Sequence, residues 1–261
     1  MRSPGNGDQM EPALVTTGPT AGGSGKKPLL RLPLLLAEAR ELSRLPAVTI
    51  EMRGDEQRCR DLYDYFTRRH PKYRLIQNKA WGVALLTLPD TFADYVGGQK
   101  RQRLRHHVNC AVKAGYTFAP LDPFGRLDEV MAINRSVDER QGRAMHPDYF
   151  DEAAVRRYFE QGSEVYGVSD SAGVLRAYAD LRACGQVAVL LRLLGHADAL
   201  KDGVMYLLLA EVIHRMIDRR QSDGTPAWFM YDMFSGASAG LGQFKRTIGC
   251  ESYRVRWVWR S

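Results

Sequence analysis

The sequence lacks a long apolar run. Its most apolar early stretch, residues 29–36, is broken by Arg31 and Pro33, and it is far shorter than the ~20 apolar residues that cross a bilayer as a helix. The start of the chain also lacks the basic segment followed by a long apolar one that is typical of a secretory signal. We therefore expect no signal peptide and no membrane span, and we predict a cytoplasmic protein.

Cysteine is scarce as well. The 261 residues include four cysteines, which are Cys59, Cys110, Cys184 and Cys250. No two of them are close enough for a C-x-x-C pair, so we predict no zinc or other metal site. Without a secretory signal, the simplest expectation is four reduced thiols. The sequence also gives no Ser-His-Asp or Cys-His arrangement, and a covalent enzyme is not predicted.

The composition that remains suits a folded protein with an anionic partner. Hydrophobic residues make up 44% of the chain, which is enough for one large domain or two small ones. The formal net charge of +7 suits RNA, a nucleotide-bearing donor or an acidic surface. The same charge is also explained by solubility alone.

Three regions follow from composition and periodicity. Residues 1–28 are rich in Gly, Pro, Ser and Thr, and we predict a disordered tail. Residues 29–96 are predicted to form a small N-terminal α/β extension that packs against the rest. It includes strands at 47–52, 73–76 and 83–88 and a helix that ends at His70-Pro71. Residues 97–261 form the predicted main domain.

The main domain begins with a basic helix within residues 97–115, on which Arg101 and Arg105 share a face. Such a helix suits phosphate binding, and it equally suits an ordinary solvated face. A strand at 116–120 and helices at 126–137 and from Pro147 follow, with a charged loop at 138–143 between the helices. A three-strand meander at 164–194, a loop at 195–203 and a long helix at 204–219 come next.

The last part of the chain is the most informative. An aromatic strand at 227–231 ends at Asp232, and a loop of small residues leads into a short helix with Leu241, Phe244 and Ile248 on one face. Gly249 ends this helix, and a strand at 254–259 closes the domain. A helix start attracts an anion, and Lys245 and Arg246 add positive charge. The alternative is a simple glycine turn with two solvated cations.

The order of these elements resembles the GNAT superfamily of N-acyltransferases. The final stretch, with Gly240-Leu241, Phe244-Lys245 and Gly249 after Tyr231-Asp232, looks like the Fem-type peptidyltransferases and their relatives. The run 99–105 with Lys113-Ala114-Gly115 looks like the basic helix of those families. The resemblance covers residues 90–261 and, more weakly, 45–89, where the extension would be a reduced GNAT half. It implies a mixed-sheet α/β (α+β) fold with a GNAT-like acyltransferase core.

The resemblance also implies a reaction, the transfer of an acyl group to an amine from acyl-coenzyme A or an aminoacyl-tRNA. It places Phe244 and Lys245 near the transfer site, where a lysine would stabilise an oxyanion or a phosphate. The glycine-rich loop of coenzyme A enzymes is reduced here to Gly203, with Lys201 nearby. Backbone amides over Asp202–Tyr206 would still hold a pyrophosphate. The expected donor-binding residues are Lys201, Asp202, Gly203, Val204, Met205 and Tyr206.

Other candidate residues lie on strands and loops. Tyr178 and Asp180 share one face of a central strand, and Asp180 is a candidate proton acceptor. The alternative is an ion pair of Asp180 with Arg182 or Arg192. Tyr231 and Asp232 lie at a strand end, where open sheets hold ligands, although Asp232 also suits a loop cap. The resemblance places Arg140, Arg143 and Phe244 near the substrate, although the two arginines equally suit a loop whose charges are only solvated.

We therefore expect an acyl-coenzyme A-dependent N-acyltransferase whose acceptor is a small-molecule or peptide amine, with the amine near Tyr178, Asp180, Tyr231 and Lys245. The first alternative uses an aminoacyl-tRNA donor, which the basic helix 97–115 would bind. The second alternative is an inactive GNAT-like binding module, which the reduced glycine loop favours.

Overall fold

A single sheet of eight strands forms the centre of the computed structural model, which describes residues 40–54, 57–71, 76–140, 143–162, 164–234 and 236–260. The strands are β1 (Ala47–Met52), β2 (Trp81–Thr87), β3 (Thr117–Pro120), β6 (Glu164–Ser169), β7 (Leu175–Cys184), β8 (Val187–Gly195), β9 (Trp228–Met233) and β10 (Glu251–Trp259). Their spatial order is β1-β10-β2-β9-β8-β7-β6-β3. The pairs β1–β10 and β8–β9 are parallel and the others are antiparallel. The predicted mixed α/β class is confirmed.

Helices cover both faces of the sheet. They are α1 (Gln57–Thr67), α2 (Phe92–Val96), α3 (Gln102–Lys113), α4 (Leu127–Arg135), α5 (Glu152–Glu160), α6 (Val204–Asp223) and α7 (Ala239–Ile248). Short 3-10 helices occupy Gln99–Arg101, Pro147–Tyr149 and Ala197–Asp202. Of the helices described, none combines the length and the apolar character that a membrane crossing requires.

The two faces have separate cores because side chains alternate along each strand. Ala177, Ala179 and Leu181 of β7 pack with α2, α3, α6 and α7, and this side is called the α6 face. Tyr178 points to the other side, where α4 and α5 cover β6, β7 and β8. On that same side α1 covers β1, β2 and β10. This second side is called the α4 face.

The segment before residue 97 contributes strands to the same sheet as the rest of the chain. β2 lies between β10 and β9, and β1 forms the edge beside β10. Ala47 pairs with Arg254, and Thr87 pairs with Trp228. The domain boundary at residue 97 stays a prediction. The predicted tail 1–28, the apolar stretch 29–36 and most of the strand predicted at 73–76 lie outside the described residues.

The expectation of four reduced cysteines is wrong. Cys59 of α1 and Cys184 of β7 form a disulfide with a Cα–Cα distance of 5.5 Å, whereas Cys110 and Cys250 are free. The pairing was invisible in the sequence because the two cysteines are 125 residues apart. The α1 helix packs onto the sheet beside the end of β7, which brings them together. The compartment of the protein stays a prediction.

Several loops are more ordered than the sequence suggested. The segment predicted as a loop at 138–143 contains a small hairpin. Its two strands, β4 (Glu139–Arg140) and β5 (Arg143–Ala144), have two residues each. The loop at 195–203 contains a 3-10 helix. Asp232 does not end its strand, since β9 continues to Met233 although Asp232 has a φ of +52°. An aspartate tolerates this left-handed conformation better than most residues do.

Candidate active site

Strands β8 and β9 run parallel at the centre of the sheet but pair only at their beginnings. Val187 pairs with Trp228 and Val189 with Met230. β8 then continues to Gly195 and β9 to Met233, with no further pair between them in this fully described part of the sheet. The two carboxyl ends are therefore unpaired, and the place where they part is called here the β8–β9 gap. Open α/β sheets hold ligands at such a position.

A β-bulge lies in β8 beside this gap. Asp180 of β7 is opposite Arg192, and Leu181 is opposite Leu190, so Leu191 is the extra residue. An extra residue shifts the alternation of side chains by one. As a result Arg192 faces the same side as Tyr178 and Asp180, which is the α4 face.

The start of α6 packs directly on the end of β8. Gly203 precedes α6 with a φ of +86°, and a Cβ there would lie 2.6 Å from the His107 backbone oxygen. A Cβ on Gly195 would lie 2.5 Å from Met205 Sδ. Only glycine fits these two positions without movement of a neighbour. The first turn of α6 holds no acidic side chain, so its free N–H groups form an end that attracts an anion.

The predicted donor-binding residues are next to one another at this helix start, but their surroundings differ. Val204 is buried and Tyr206 is half-buried, whereas Lys201 is exposed. Asp202 accepts a hydrogen bond of 2.8 Å from the Tyr116 hydroxyl. Burial and the neighbouring Asp202 raise the pKa of Tyr116 to about 12, so this hydroxyl keeps its proton and remains a donor. This hydrogen bond occupies a carboxylate oxygen of Asp202, so the side chain has a structural role and is not free to contact a donor.

Four aromatic side chains connect α3, α6, α7 and β9, and they are called the aromatic series. The His107 and Tyr206 rings stack with centroids 4.2 Å apart. Tyr206 lies 4.7 Å from Phe244, which lies 6.2 Å from Tyr231. Burial, Arg103 and His106 lower the pKa of His107, which favours the neutral imidazole in this stack. The series joins predicted donor-binding, substrate-binding and catalytic residues.

Lys245 ends this series on the α6 face. The side chain is fully buried, and its Nζ donates a hydrogen bond of 2.6 Å to the Met233 oxygen at the end of β9. Nζ also lies 4.7 Å from the Tyr231 ring centroid and 5.9 Å from that of Phe234. Burial lowers the pKa of Lys245, and Asp232 partly offsets this effect. The structure therefore brings Lys245, Tyr231 and Asp232 together at one end of β9.

A buried ion pair lies behind this lysine. Asp232 accepts a hydrogen bond from Lys79 Nζ, and the two side chains are 2% and 6% exposed. The Lys79 backbone oxygen accepts a hydrogen bond of 2.6 Å from Trp257 Nε1. Lys79 lowers the pKa of Lys245 and Asp232 raises it, so the ion pair belongs to the electrostatic environment of Lys245.

Tyr178 and Asp180 lie on the other face of the sheet. The Tyr178 hydroxyl donates a hydrogen bond of 2.8 Å to Asn134 Oδ1, and the Tyr158 hydroxyl donates one to Asp180. The side chains of Tyr178 and Asp180 are fully buried, and burial raises the pKa of Tyr178. The predicted catalytic residues therefore form two groups on opposite faces, with Arg192 beside the second group.

The two predicted substrate-binding arginines lie in the β4–β5 hairpin, where they are opposite each other in register. Arg140 donates hydrogen bonds of 3.1 Å to the Gly195 oxygen and 3.0 Å to the Ile133 oxygen. These contacts tie the hairpin to the end of β8. The side chain of Arg143 lies outside the described part of the chain, and its role stays a prediction.

The basic helix divides into anchored and exposed side chains. Arg105 donates hydrogen bonds to the Val96 and Gly98 oxygens, and Arg101 lies 5.6 Å from the Tyr95 ring. Four other basic side chains face solvent; these are Lys100, Arg103, His106 and Lys113. Because α3 packs against α6 and the His107 backbone oxygen adjoins Gly203, the middle of this basic helix lies beside the helix start at the gap.

Comparison with known proteins bears on the fold. No family model matches the chain, and no curated protein matches its sequence. Among solved structures, FemX aligns with 85% of this chain and 74% of its own, with a TM-score of 0.54 and 11% identity. This chain has a GNAT-like, Fem-related fold. At that identity the likeness establishes the GNAT-like fold alone.

Two further structures align over a smaller part. L-PGS from Bacillus licheniformis matches 65% of this chain at 18% identity, with a TM-score of 0.45, and this chain spans 56% of its length. A GCN5-related N-acetyltransferase from Kribbella flavida matches 66% of this chain and 53% of its own, with a TM-score of 0.38 and 14% identity. In the GNAT-like fold of this chain, the β8–β9 gap and the start of α6 adjoin each other.

Sequence reasoning missed several residues of this candidate site. Lys79 lies in a loop ahead of β2, in no motif, and nothing in the sequence links it to Asp232. His107 lies within the basic helix 97–115, and nothing in the sequence signals its ring stack with Tyr206. Arg192 carried a signal, because a charge within the apolar run of β8 has to meet a partner when the strand is central. It was considered only as a partner for Asp180.

Proposed function

We propose that this protein is an N-acyltransferase that moves an acyl group from acyl-coenzyme A to an amine. The observation that carries the proposal is the position of Lys245, a buried cation at the end of β9, across the β8–β9 gap from the anion-attracting start of α6. Acyl transfer needs a binding site for the acyl donor and, close to it, a group that stabilises the negative charge on the carbonyl oxygen. The GNAT-like, Fem-related fold supports the same reaction class.

In the proposed reaction, the neutral amine attacks the carbonyl carbon of the thioester, and a C–N bond forms as the C–S bond breaks. The departing thiolate takes up a proton, and the attacking nitrogen loses one. Lys245 donates one N–H to Met233, and its remaining donors serve the carbonyl oxygen as it gains negative charge. Removal of one such donor typically lowers kcat by about 100- to 1,000-fold.

The proposed donor seat uses backbone more than side chains. The N–H groups over Gly203–Met205 bind the pyrophosphate, whereas the Tyr206 N–H already donates to the Gly203 oxygen. Exposed Lys201 adds charge beside them. Tyr206 and Phe244, which are both half-buried, pack against the acyl arm as it enters the gap. Asp180 as proton acceptor stays a prediction, since its carboxylate accepts the Tyr158 hydroxyl on the other face.

One observation favours a second candidate, an aminoacyl-tRNA donor. The helix α3, which carries exposed basic side chains, packs beside the start of α6, and these charges suit a phosphate backbone that continues beyond the gap. The chemistry at the carbonyl carbon would be the same, with an ester C–O bond broken in place of C–S. Salt separates the donors, because binding through many phosphates weakens steeply as salt rises.

Thermal melting of the purified protein tests both candidates. Acetyl-coenzyme A, longer acyl-coenzyme A species and bulk tRNA are each added at low and moderate salt. A ligand at 100 times its Kd stabilises the fold by about 2.7 kcal/mol, which raises Tm by roughly 5 to 10 °C for a chain of this size. A shift with a coenzyme A species supports the first donor, and a salt-sensitive shift with tRNA alone supports the second.

A variant pair then separates binding from chemistry. Lys245→Met is expected to keep the melting shift and to lose acyl transfer, whereas Lys201→Ala weakens the shift. Arg157→Ala, on α5 at the other face of the sheet, is the matched control for loss of an exposed cation, and it leaves the coenzyme A shift unchanged. If no donor changes Tm, the enzyme proposal fails, and an inactive binding module becomes the better description.

A further inference from the structure

The α4 face holds a buried arginine whose donors are only partly used. Arg192 is 2% exposed, and its Nε and Nη1 have no hydrogen-bond partner among the described residues. Its guanidinium lies 3.2 Å from the Tyr158 ring centroid and 4.6 Å from that of Tyr149. Open donors on a buried cation are costly, since each loses its water without a replacement. This arrangement indicates a ligand that supplies the missing acceptors.

The charges around Arg192 do not balance. Asp180, directly opposite on β7, is the carboxylate that acts on Arg192, whose other titrating neighbours are tyrosines. Burial raises the pKa of Tyr149 and Tyr158, so both are neutral near pH 7. Arg140 adds a second cation, whose hydrogen bonds go to neutral oxygens and a sulfur. Among the side chains that the structure describes around Arg192, two arginines and one carboxylate leave an excess of one positive charge.

The position of Arg192 connects it with the gap. It lies on β8 beyond the last residue that pairs with β9, and its side chain faces the α4 face. Lys245 lies at the end of β9 on the α6 face. Arg192 and Lys245 thus flank the unpaired ends of β8 and β9 from the two faces of the sheet, and a molecule bound at Arg192 would have to pass between these strands to meet Lys245.

We propose that Arg192 binds the carboxylate of the amine acceptor, which makes the acceptors amino acids or peptides with a free carboxyl group. The inference rests on the proposed acyl transfer. A carboxylate carries the one negative charge that balances the cluster, whereas a phosphate dianion would exceed it. Its oxygens accept the Nε and Nη1 hydrogens of the guanidinium. The ring of Tyr149, which is half-buried on the Pro147–Tyr149 helix, lies over the guanidinium.

Binding is measured directly at the arginine, without any acyl donor. The ¹⁵N–¹H resonance of Arg192 Nε is assigned by its loss in Arg192→Lys. If that variant does not fold, the assignment uses Tyr149→Leu, which moves the same resonance by removing a ring next to it. The wild-type protein is titrated with glycylglycine and with glycylglycinamide, which has the same amine and no carboxylate. Inorganic phosphate is the third probe.

The expected result is a saturable shift of the Arg192 resonance with glycylglycine and none with glycylglycinamide. Concentrations up to about 50 mM suffice, because two charge-assisted hydrogen bonds support a millimolar Kd. Equal shifts with both peptides, no shift with either, or a shift with phosphate alone would each overturn the proposal. Arg176→Lys, on the neighbouring strand, is the control and leaves the titration unchanged.

Acyl transfer is measured separately, so the two proposals can fail independently. If glycylglycinamide is acylated as well as glycylglycine, the carboxylate site is refuted while the acyltransferase stands. If no donor gives transfer but glycylglycine still shifts Arg192, the anion site stands and the reaction fails. In an active enzyme, Arg192→Lys should raise KM for the carboxylate acceptor at least tenfold and leave KM for the donor unchanged.

Discussion

The buried pair of Lys79 and Asp232 gives the sharpest test of the electrostatics at the gap. The two side chains are 6% and 2% exposed, so Lys79→Met leaves a carboxylate almost without water. Removal of one partner of a buried ion pair costs about 3 to 5 kcal/mol. Lys245 also interacts with Asp232 and offsets part of the loss. We therefore expect the lower end of that range, about 3 kcal/mol.

Urea unfolding measures this loss. With an m-value of about 3 kcal/mol/M or less, the midpoint of Lys79→Met falls by about 1 M or more. Asp232→Asn keeps the tolerance for a positive φ, and the double variant should lose clearly less than the two single losses added together. Arg260→Met, which breaks a mostly exposed pair with Glu51, is the control and should shift the midpoint far less. Additive losses, or an unchanged midpoint in Lys79→Met, would refute the pair's role.

Gly203→Ala should cost more stability than Gly173→Ala, although the φ angles are +86° and +81°, because only the first Cβ would meet a backbone atom. The left-handed backbone alone costs an alanine about 1 to 2 kcal/mol, and equal urea midpoints would contradict the close approach of α3. A thiol reagent at pH 8 should modify Cys110 quickly in the native protein and Cys250 only after denaturation. Cys110 is exposed, whereas burial raises the pKa of the Cys250 thiol to about 12; two fast thiols would contradict this. Reduction of the disulfide, which closes a loop of 125 residues, should lower stability by up to about 5 kcal/mol in the chain-entropy model. An unchanged urea midpoint after reduction would show that the cross-link adds nothing.

Local signals in the sequence were sufficient for most of the fold. Alternation predicted β6, β7 and β8, and the helical spacing of Leu241, Phe244 and Ile248 predicted α7. The pairing of distant segments had no such signal. The insertion of β2 between β10 and β9 depends on contacts across the whole chain, and so does the disulfide. Periodicity reports which side of an element is buried, and it does not report which element covers that side.

The candidate site was predictable where one short stretch supplies it. Tyr231, Phe244 and Lys245 come from a single strand–loop–helix segment, and the structure brings them together. Tyr178 and Asp180 were expected beside them because a strand pattern shows that side chains alternate between the two faces. The pattern does not show which face of the sheet each set occupies. One register choice decides which side faces α6. In this chain Ala177 and Ala179 face it, and Tyr178 faces α4.

The separation of the candidate residues onto two faces of the sheet gives a reason for the presence of two buried cations, Lys245 and Arg192, at one gap. The positive start of α6 and buried Lys245 lie on the side where an anionic donor and a developing oxyanion would need them. Arg192 lies on the other side, where its charge is of no use to the donor and costs stability unless an anion arrives. A single-substrate binding module would need only the first group. In the acyl transfer proposed above, donor and acceptor each need a binding group, and the two cations on opposite faces of the sheet would supply one for each beside the gap.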